Sequence, residues 1–328
     1  MNTLTICIPT YNRDTFLDEC LASLCPQLIE GVELIVLDNA SPDDTPAIVR
    51  KWQGLTPAGV GYERHPENIG GNPNLDAAAR RGKGRYVWVL GDDEIVLAGA
   101  VKRILLLIAE GADFVVLNHT IHDLKMEKQL GPSWFVLTED RVLKSREETM
   151  AMLGPIPGFI SAIIARREIL TSLNAEQTAH YAAFGFNQLF AFYKGLPVGV
   201  QGRVTSSVLI KVRAGNAGLY NWDDFFVVGL GVIFSDLRRD YNYSSGSVRR
   251  ALAETIMRYQ VGRVLDLKQE GRATAFMARR GFPYYKSCWQ YWLFLLPLVL
   301  LPQAVIKMLR AFRLFLKNAV RPGGFSTG

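Results

Sequence analysis

Three carboxylates stand side by side in this chain, Asp92, Asp93 and Glu94, directly after an apolar run from Tyr86 to Leu90 and the turn residue Gly91. Adjacent acids repel one another, and placing them against apolar neighbours is costly without a cation or hydrogen-bond donors to compensate. Two readings follow. One is a solvated acidic turn; the other is a site for a hard divalent cation with oxygen ligands, of the kind that accompanies a diphosphate. A second acidic pair, Asp223 and Asp224, ends a stretch that starts at Arg213 and contains glycines and Trp222. That stretch reads either as a loop closing over a ligand, with Arg213 for a phosphate and Trp222 to stack on a ring, or as a turn capping a helix from about residue 225. The four cysteines form no CxxC pair and share no metal-ligand spacing with the four histidines. That usage predicts a reducing compartment without a disulfide framework.

The elements that must position these groups are strands. Residues 86–90 are continuously apolar, short, and rich in aromatic and β-branched types, which predicts a strand buried on both faces. Before it, the sequence repeats strand, polar loop, helix three times. Residues 4–8 lead into the loop Pro9, Thr10, Tyr11, Asn12, Arg13 and then a helix with Phe16, Leu17, Cys20, Leu21 and Leu24 at helical spacing, capped by Asp14. Residues 32–37 close on Asp38 to Thr45 and a helix over 45–52. Residues 60–64 form a weaker strand before the loop 65–74, whose Gly70 and Gly71 let backbone approach a ligand, and a short helix to residue 80. This grammar predicts an α/β fold with a doubly wound, mostly parallel sheet, its loops gathered at the strand ends where such folds bind ligands. Further on, the pattern predicts a helix over 100–109, strands at 114–117, 134–137 and 159–165, and a helix from 166. His119 and His122 then fall on a strand end, either solvated or facing an acceptor pocket.

At 328 residues the chain exceeds a usual single core, so one large α/β domain with an appendage is expected. The net charge of +6 is modest, with no nucleic-acid partner expected, but it is uneven: past residue 271 there is no Asp or Glu, while Lys and Arg continue to Arg321. Residues 289–301 are intensely apolar, yet short and interrupted by Pro297 for a spanning helix. After Pro302, Val305, Met308, Leu309, Phe312, Phe315 and Leu316 share one helical face, with Lys307, Arg310, Arg313 and Lys317 around it. That is the design of an interfacial helix on an anionic membrane surface. The N-terminus enters a strand with no basic n-region or cleavage site, so no signal peptide is expected.

Taken together and in order, Ile8 to Arg13, Ile35 to Asp43, Asn68 to Asn74 and Leu90 to Glu94 resemble the family-2 glycosyltransferases with a GT-A fold, over about residues 1–120. The resemblance implies that Pro9, Thr10 and Tyr11 pack against a nucleotide base, that Asp38 hydrogen-bonds the base edge, and that Arg13, Asn68, Gly70 and Asn74 border the donor. Asp92 would serve the ribose, with Asp93 and Glu94 at a divalent metal, Mg2+ or Mn2+. The common form is Asp-x-Asp, so the metal acid has to be chosen among three. The base that deprotonates the acceptor belongs, in relatives, to a segment matching His180 to Gln188, which has no carboxylate here; Asp223 and Asp224 are the nearest candidates. The stretch 213–224 is also similar to an abequosyltransferase-like subgroup of bacterial surface polysaccharide assembly. The implied activity is an inverting, metal-assisted transfer from a nucleotide diphosphate sugar to a lipid-linked or polysaccharide acceptor, at the cytoplasmic face of the inner membrane. The implied organisation is a domain over 1–245, with a nucleotide-sugar half (1–120) and an acceptor half (121–245). A helical region over 246–320 carries the membrane segment 289–317, and 321–328 is a tail. A nucleotidyltransferase would share the sheet and acids, but no Gly-rich, Lys-bearing phosphate loop follows the first strand; a non-catalytic carbohydrate-binding or scaffold protein would explain the missing base.

Overall fold

The structure is a computed structural model describing residues 3–215, 225–272, 274–306 and 308. Its sheet contains β1 (Leu4–Thr10), β2 (Val32–Asp38), β3 (Gly61–Arg64), β4 (Tyr86–Val89), β5 (Ile95–Val96), β6 (Phe114–His122), β7 (Arg141–Leu143), β8 (Ile163–Arg166) and β9 (Gly202–Arg213). The spatial order is β3-β2-β1-β4-β8-β6-β9-β5, with β7 on β9. The pairs among β3, β2, β1 and β4 are parallel, as the repeating grammar predicts. Beyond β4 the sheet is mixed: β8 runs antiparallel to both β4 and β6, while β6 and β9 are parallel. The chain winds outward from β1 to β3, then returns to place β4 on the other side of β1. The carboxyl ends of β1 and β4 therefore flank a topological switch point, where the sheet opens a crevice.

Helices α1 (Asp14–Leu24), α2 (Thr45–Leu55), α3 (Gly71–Arg81) and α4 (Ala100–Ala109) cover the first half. The period-two alternation of β1 explains why both faces need cover: Leu4, Ile6 and Ile8 join one core with Leu17, Leu21 and Ile104, whereas Cys7 points the other way to Val87, Val89 and Ala78. Apolar runs without polar interruption are the consequence.

The second half is built on another core. It gathers Phe114 and Val116 of β6 with α5 (Arg146–Leu153), α6 (Arg167–Leu170), α7 (Ala175–Ala182), α8 (Asn187–Gly195), α9 (Leu230–Tyr241), α10 (Ser245–Thr255), α11 (Val261–Gln269), α12 (Ala275–Tyr285) and α13 (Leu296–Leu300). Residues from Phe114 to Val299 thus share one apolar cluster. Within the region expected to be helical over 246–320, α10 is followed by a π-turn at Ile256–Gln260 and then α11. Ser244 starts α10 by accepting the Ser247 N–H. The strand expected at 134–137 is irregular, and the one expected from 159 begins at Ile163, after two 3-10 turns that include Pro157. Among the described residues no helix is long and apolar enough to cross a membrane.

Candidate active site

The acid loop hangs from β4 and is fixed from three sides. Asp92 is buried and takes hydrogen bonds from the Thr10 hydroxyl on Oδ2 (2.7 Å) and from Arg13 Nη1 on Oδ1 (3.2 Å). Burial pushes the Asp92 carboxyl up to about 6; the Arg13 charge works against that and Asp93 adds to it. The same guanidinium nitrogen lies 3.6 Å from Asp93 Oδ2. Glu94, expected beside Asp93 at a metal, turns inward here. It is 3% exposed, Oε1 accepts the Ser161 hydroxyl at 3.2 Å, and Oε2 has no partner among the described residues. Burial first, then Asp93, raises its carboxyl well above the usual range. Ser161 also accepts the Gly91 N–H at 3.0 Å, and the Cys20 thiol meets the Gly91 carbonyl from beneath at 3.7 Å.

Arg213 closes the arrangement from β9. Its Nε donates to the Asp93 carbonyl (3.2 Å), its other nitrogens reach the Leu124 carbonyl and Glu19, and its guanidinium lies 4.7 Å from the Phe16 ring centroid. Read from sequence as a phosphate ligand, Arg213 is buried and ties the acid loop to the end of β9. Among the described residues no three His, Cys, Asp or Glu form a metal-holding group. The triplet is resolved into unlike roles, with Asp93 the most exposed of the three.

The neighbouring loops are stitched by amides. Asp38, at the end of β2 and opposite Thr10, is fully buried. It accepts the Ser41 N–H (2.8 Å) and the Tyr62 hydroxyl (2.6 Å), with Arg64 at 3.7 Å, so here it shapes the loop rather than facing solvent. Asn39, which sequence reasoning passed over, donates to Asn68 Oδ1 (2.8 Å) and accepts the Ile69 N–H (2.9 Å). Asn68 also accepts the Gly70 N–H at 2.8 Å; Gly70 has φ +91°, a conformation that disfavours a side chain. Asn74 is buried between His65 Nε2 (3.1 Å) and the Leu37 carbonyl (3.4 Å). Pro9 and Thr10 are buried in β1, while Tyr11 just beyond is 42% exposed and offers a flat face at the switch point. The clue to Asn39 was its place after Asp38 at a strand's carboxyl end; Ser161 had none.

The Thr10 hydroxyl yields a first prediction. Thr10→Val keeps the shape but leaves Asp92 Oδ2 without its donor, so unfolding by urea should show a loss of about 1–3 kcal/mol. An unchanged stability would mean that Asp92 does not depend on Thr10.

At the end of β6, His119 and His122 are buried, contrary to the solvated reading. His119 packs between Trp134 (5.1 Å, stacked) and Phe159 (5.1 Å), and burial brings its pKa down to about 4, so the ring is neutral. The stretch 180–188 supplies α7, a turn and the start of α8, with no acid. Asp223 and Asp224 lie outside the described residues; the strand leading toward them ends at Arg213, against Asp93.

Residues 5–172 match the family described as Glycosyl transferase family 2. The chain belongs to that family. The family-2 match spans β1 through α6, and so holds the whole acid triplet and Ser161, but not β9 or the later helices. Among curated relatives, the abequosyltransferase of Salmonella typhimurium is 26% identical over 177 residues, covering 50% of this chain and 53% of the relative. The GalNAc(5)-diNAcBac-PP-undecaprenol beta-1,3-glucosyltransferase of Campylobacter jejuni is 29% identical over 111 residues, 34% of this chain and 36% of the relative. The matches thus span about half or less of those relatives' length. Among solved structures, TarS 1-349 of S. aureus in complex with UDP-GlcNAc aligns with TM-score 0.59 at 14% identity, over 88% of this chain and 91% of that one. That likeness establishes the GT-A fold for this family-2 chain.

Proposed function

We propose that this chain moves a sugar from a nucleotide diphosphate sugar to a hydroxyl of a lipid-linked saccharide or polysaccharide acceptor, in bacterial surface polysaccharide assembly. The observation that carries the proposal is the convergence of Thr10, Arg13, Asp92 and Asp93 at the switch point of a family-2 sheet. The two relatives, an abequosyltransferase and a glucosyltransferase named for a PP-undecaprenol saccharide, support the acceptor class. Tyr11 would stack on the base, the backbone about Gly70 would border the donor, and Asp92, steered by Thr10, would serve the ribose. Arg13 would turn toward the diphosphate.

The donor atoms on the accessible side of the acid loop are oxygens, which suits a hard cation, and Asp93 is the residue that would hold it. Glu94 is buried and turned toward Ser161 instead. When bound, Mg2+ or Mn2+ supplies charge stabilisation to the departing diphosphate. In an inverting transfer the acceptor oxygen forms the new bond to the anomeric carbon as the bond to the diphosphate oxygen breaks. The acceptor proton passes to Asp223 or Asp224. The region 289–317 would hold the chain peripherally at the cytoplasmic face of the membrane, where a lipid-linked acceptor is concentrated.

A panel of nucleotide diphosphate sugars, incubated with the chain with and without Mg2+ or Mn2+, tests the reading. Release of nucleoside diphosphate from one donor, dependent on the cation, is expected. Release of pyrophosphate from a nucleoside triphosphate and a sugar phosphate would point to nucleotidyl transfer and overturn it, as would no turnover or binding of any donor.

A further inference from the structure

Away from the acid loop, helices α9, α10 and α12 enclose an open surface cavity of about 490 Å³. Four cations line it, Arg238, Arg239, Arg249 and Lys286, together with the hydroxyls of Ser235, Ser245 and Ser287. Among the described residues no carboxylate lines it, and one of the four cations, Arg239, is paired with Asp236 and Asp240 at 2.8 Å each. Arg238, Arg249 and Lys286 make no ion pair among the described residues. Like charges gathered in this way repel one another, and an anion between them relieves that repulsion.

The cavity adjoins an apolar surface through Lys286. Its ammonium lies 5.7 Å from the Phe282 ring centroid, and its carbonyl accepts the Trp292 indole N–H at 2.8 Å. Phe282 and Trp292 meet edge to face at 6.1 Å. Phe282, Trp289, Trp292 and Leu293 are all exposed, by 42%, 60%, 50% and 61%. Aromatic side chains standing in water beside cations that make no ion pair among the described residues are the composition of a membrane-interface surface: rings at headgroup depth and cations meeting phosphates. The charge pattern argues for a bilayer rather than a protein partner, because a protein face would need its own array of carboxylates around an apolar centre, whereas an anionic bilayer presents both everywhere.

We propose that α9, α10 and α12 form a docking surface for an anionic phospholipid bilayer, in which a lipid phosphate enters the Arg238, Arg249 and Lys286 cavity while Phe282, Trp289 and Trp292 enter the interface. The proposal rests on the membrane attachment proposed above, but places the contact within the folded helices and names its headgroup; it is independent of sugar transfer.

The test is sedimentation of the full chain with vesicles of phosphatidylglycerol in phosphatidylcholine. The wild-type chain should bind these, bind pure phosphatidylcholine weakly, and lose binding as salt rises. The double variant Arg238→Gln, Arg249→Gln should lose about tenfold to thirtyfold in vesicle affinity. A control losing the same charge on the other half of the molecule, Arg50→Gln with Lys83→Gln, both exposed, should lose much less. Brominated acyl chains should quench tryptophan emission in the wild type and less so in Trp289→Phe, Trp292→Phe. Equal losses in the double variant and its control would overturn the proposal by reducing the effect to net charge. It would also be overturned if inorganic phosphate stabilised the wild type while vesicles did not bind, or if the apolar surface were buried in a concentration-dependent dimer seen by light scattering. Nucleotide-sugar turnover in solution, measured on the same variants, should be unchanged. Its absence in the wild type as well would sink the transferase reading while leaving the vesicle result standing.

Discussion

Asp93→Asn should leave the chain folded and remove the cation-dependent part of its affinity for a nucleoside diphosphate, with transfer falling about 10²- to 10³-fold. The substitution keeps the shape and deletes one anionic oxygen, and the structure singles out this position. Asp92 already accepts from Thr10 and Arg13, and Glu94 is buried under Ser161. Asp93 is the most exposed of the three, with Arg13 at 3.6 Å from its carboxylate, and it is also tied through its carbonyl to Arg213, so the loop keeps that anchor when the carboxylate becomes an amide. Calorimetric titration of the nucleotide, with and without Mn2+, reads the effect directly. Wild-type affinity and turnover in the variant with the cation present would place the diphosphate elsewhere.

The second large effect concerns the acceptor proton. Asp223→Asn or Asp224→Asn, whichever removes the base, should cost about 10²- to 10⁴-fold in kcat with acceptor present. Donor affinity should change little, because Tyr11, Asp92 and Asp93 are untouched. The reason for looking there is chemical: the stretch 180–188 holds no carboxylate, and Asp223 and Asp224 are the next carboxylates in the sequence after it. Full turnover in both variants would show that neither serves as the base.

The parallel half of the fold was legible because each strand is buried on both faces, so β1, β2 and β4 read as unbroken apolar runs that end on polar loops. Later strands were harder to read. β9 carries Thr205, Ser206 and Ser207 in mid-strand, where its register against β6 shifts, and bonds such as Thr205 to the Asn118 N–H replace the apolar signal. The short β8 follows proline-containing turns that no periodicity announces. At the site, residue types told where acids gather but not how they divide the work. Which of Asp92, Asp93 and Glu94 faces outward depends on Thr10, Arg13 and Ser161, between 67 and 82 residues away in sequence. Asp38 was singled out correctly as a loop-end acid, yet its oxygens are taken up by Ser41 and Tyr62, partners that only the folded sheet brings near.

The burial of all four cysteines has a practical consequence for following this chain at work. Cys7 and Cys20 are sealed under the switch point, Cys25 lies at the end of α1, and Cys288 is shut beneath α10. Burial raises all four thiols above their ordinary range, so little thiolate is on offer to an alkylating reagent. A single cysteine introduced at exposed Ile69, between Asn68 and Gly70, would therefore take a maleimide fluorophore selectively in the native chain, without first deleting the native thiols. The dye would stand on the loop expected to border the donor, and its emission would report arrival and departure of the nucleotide sugar in real time.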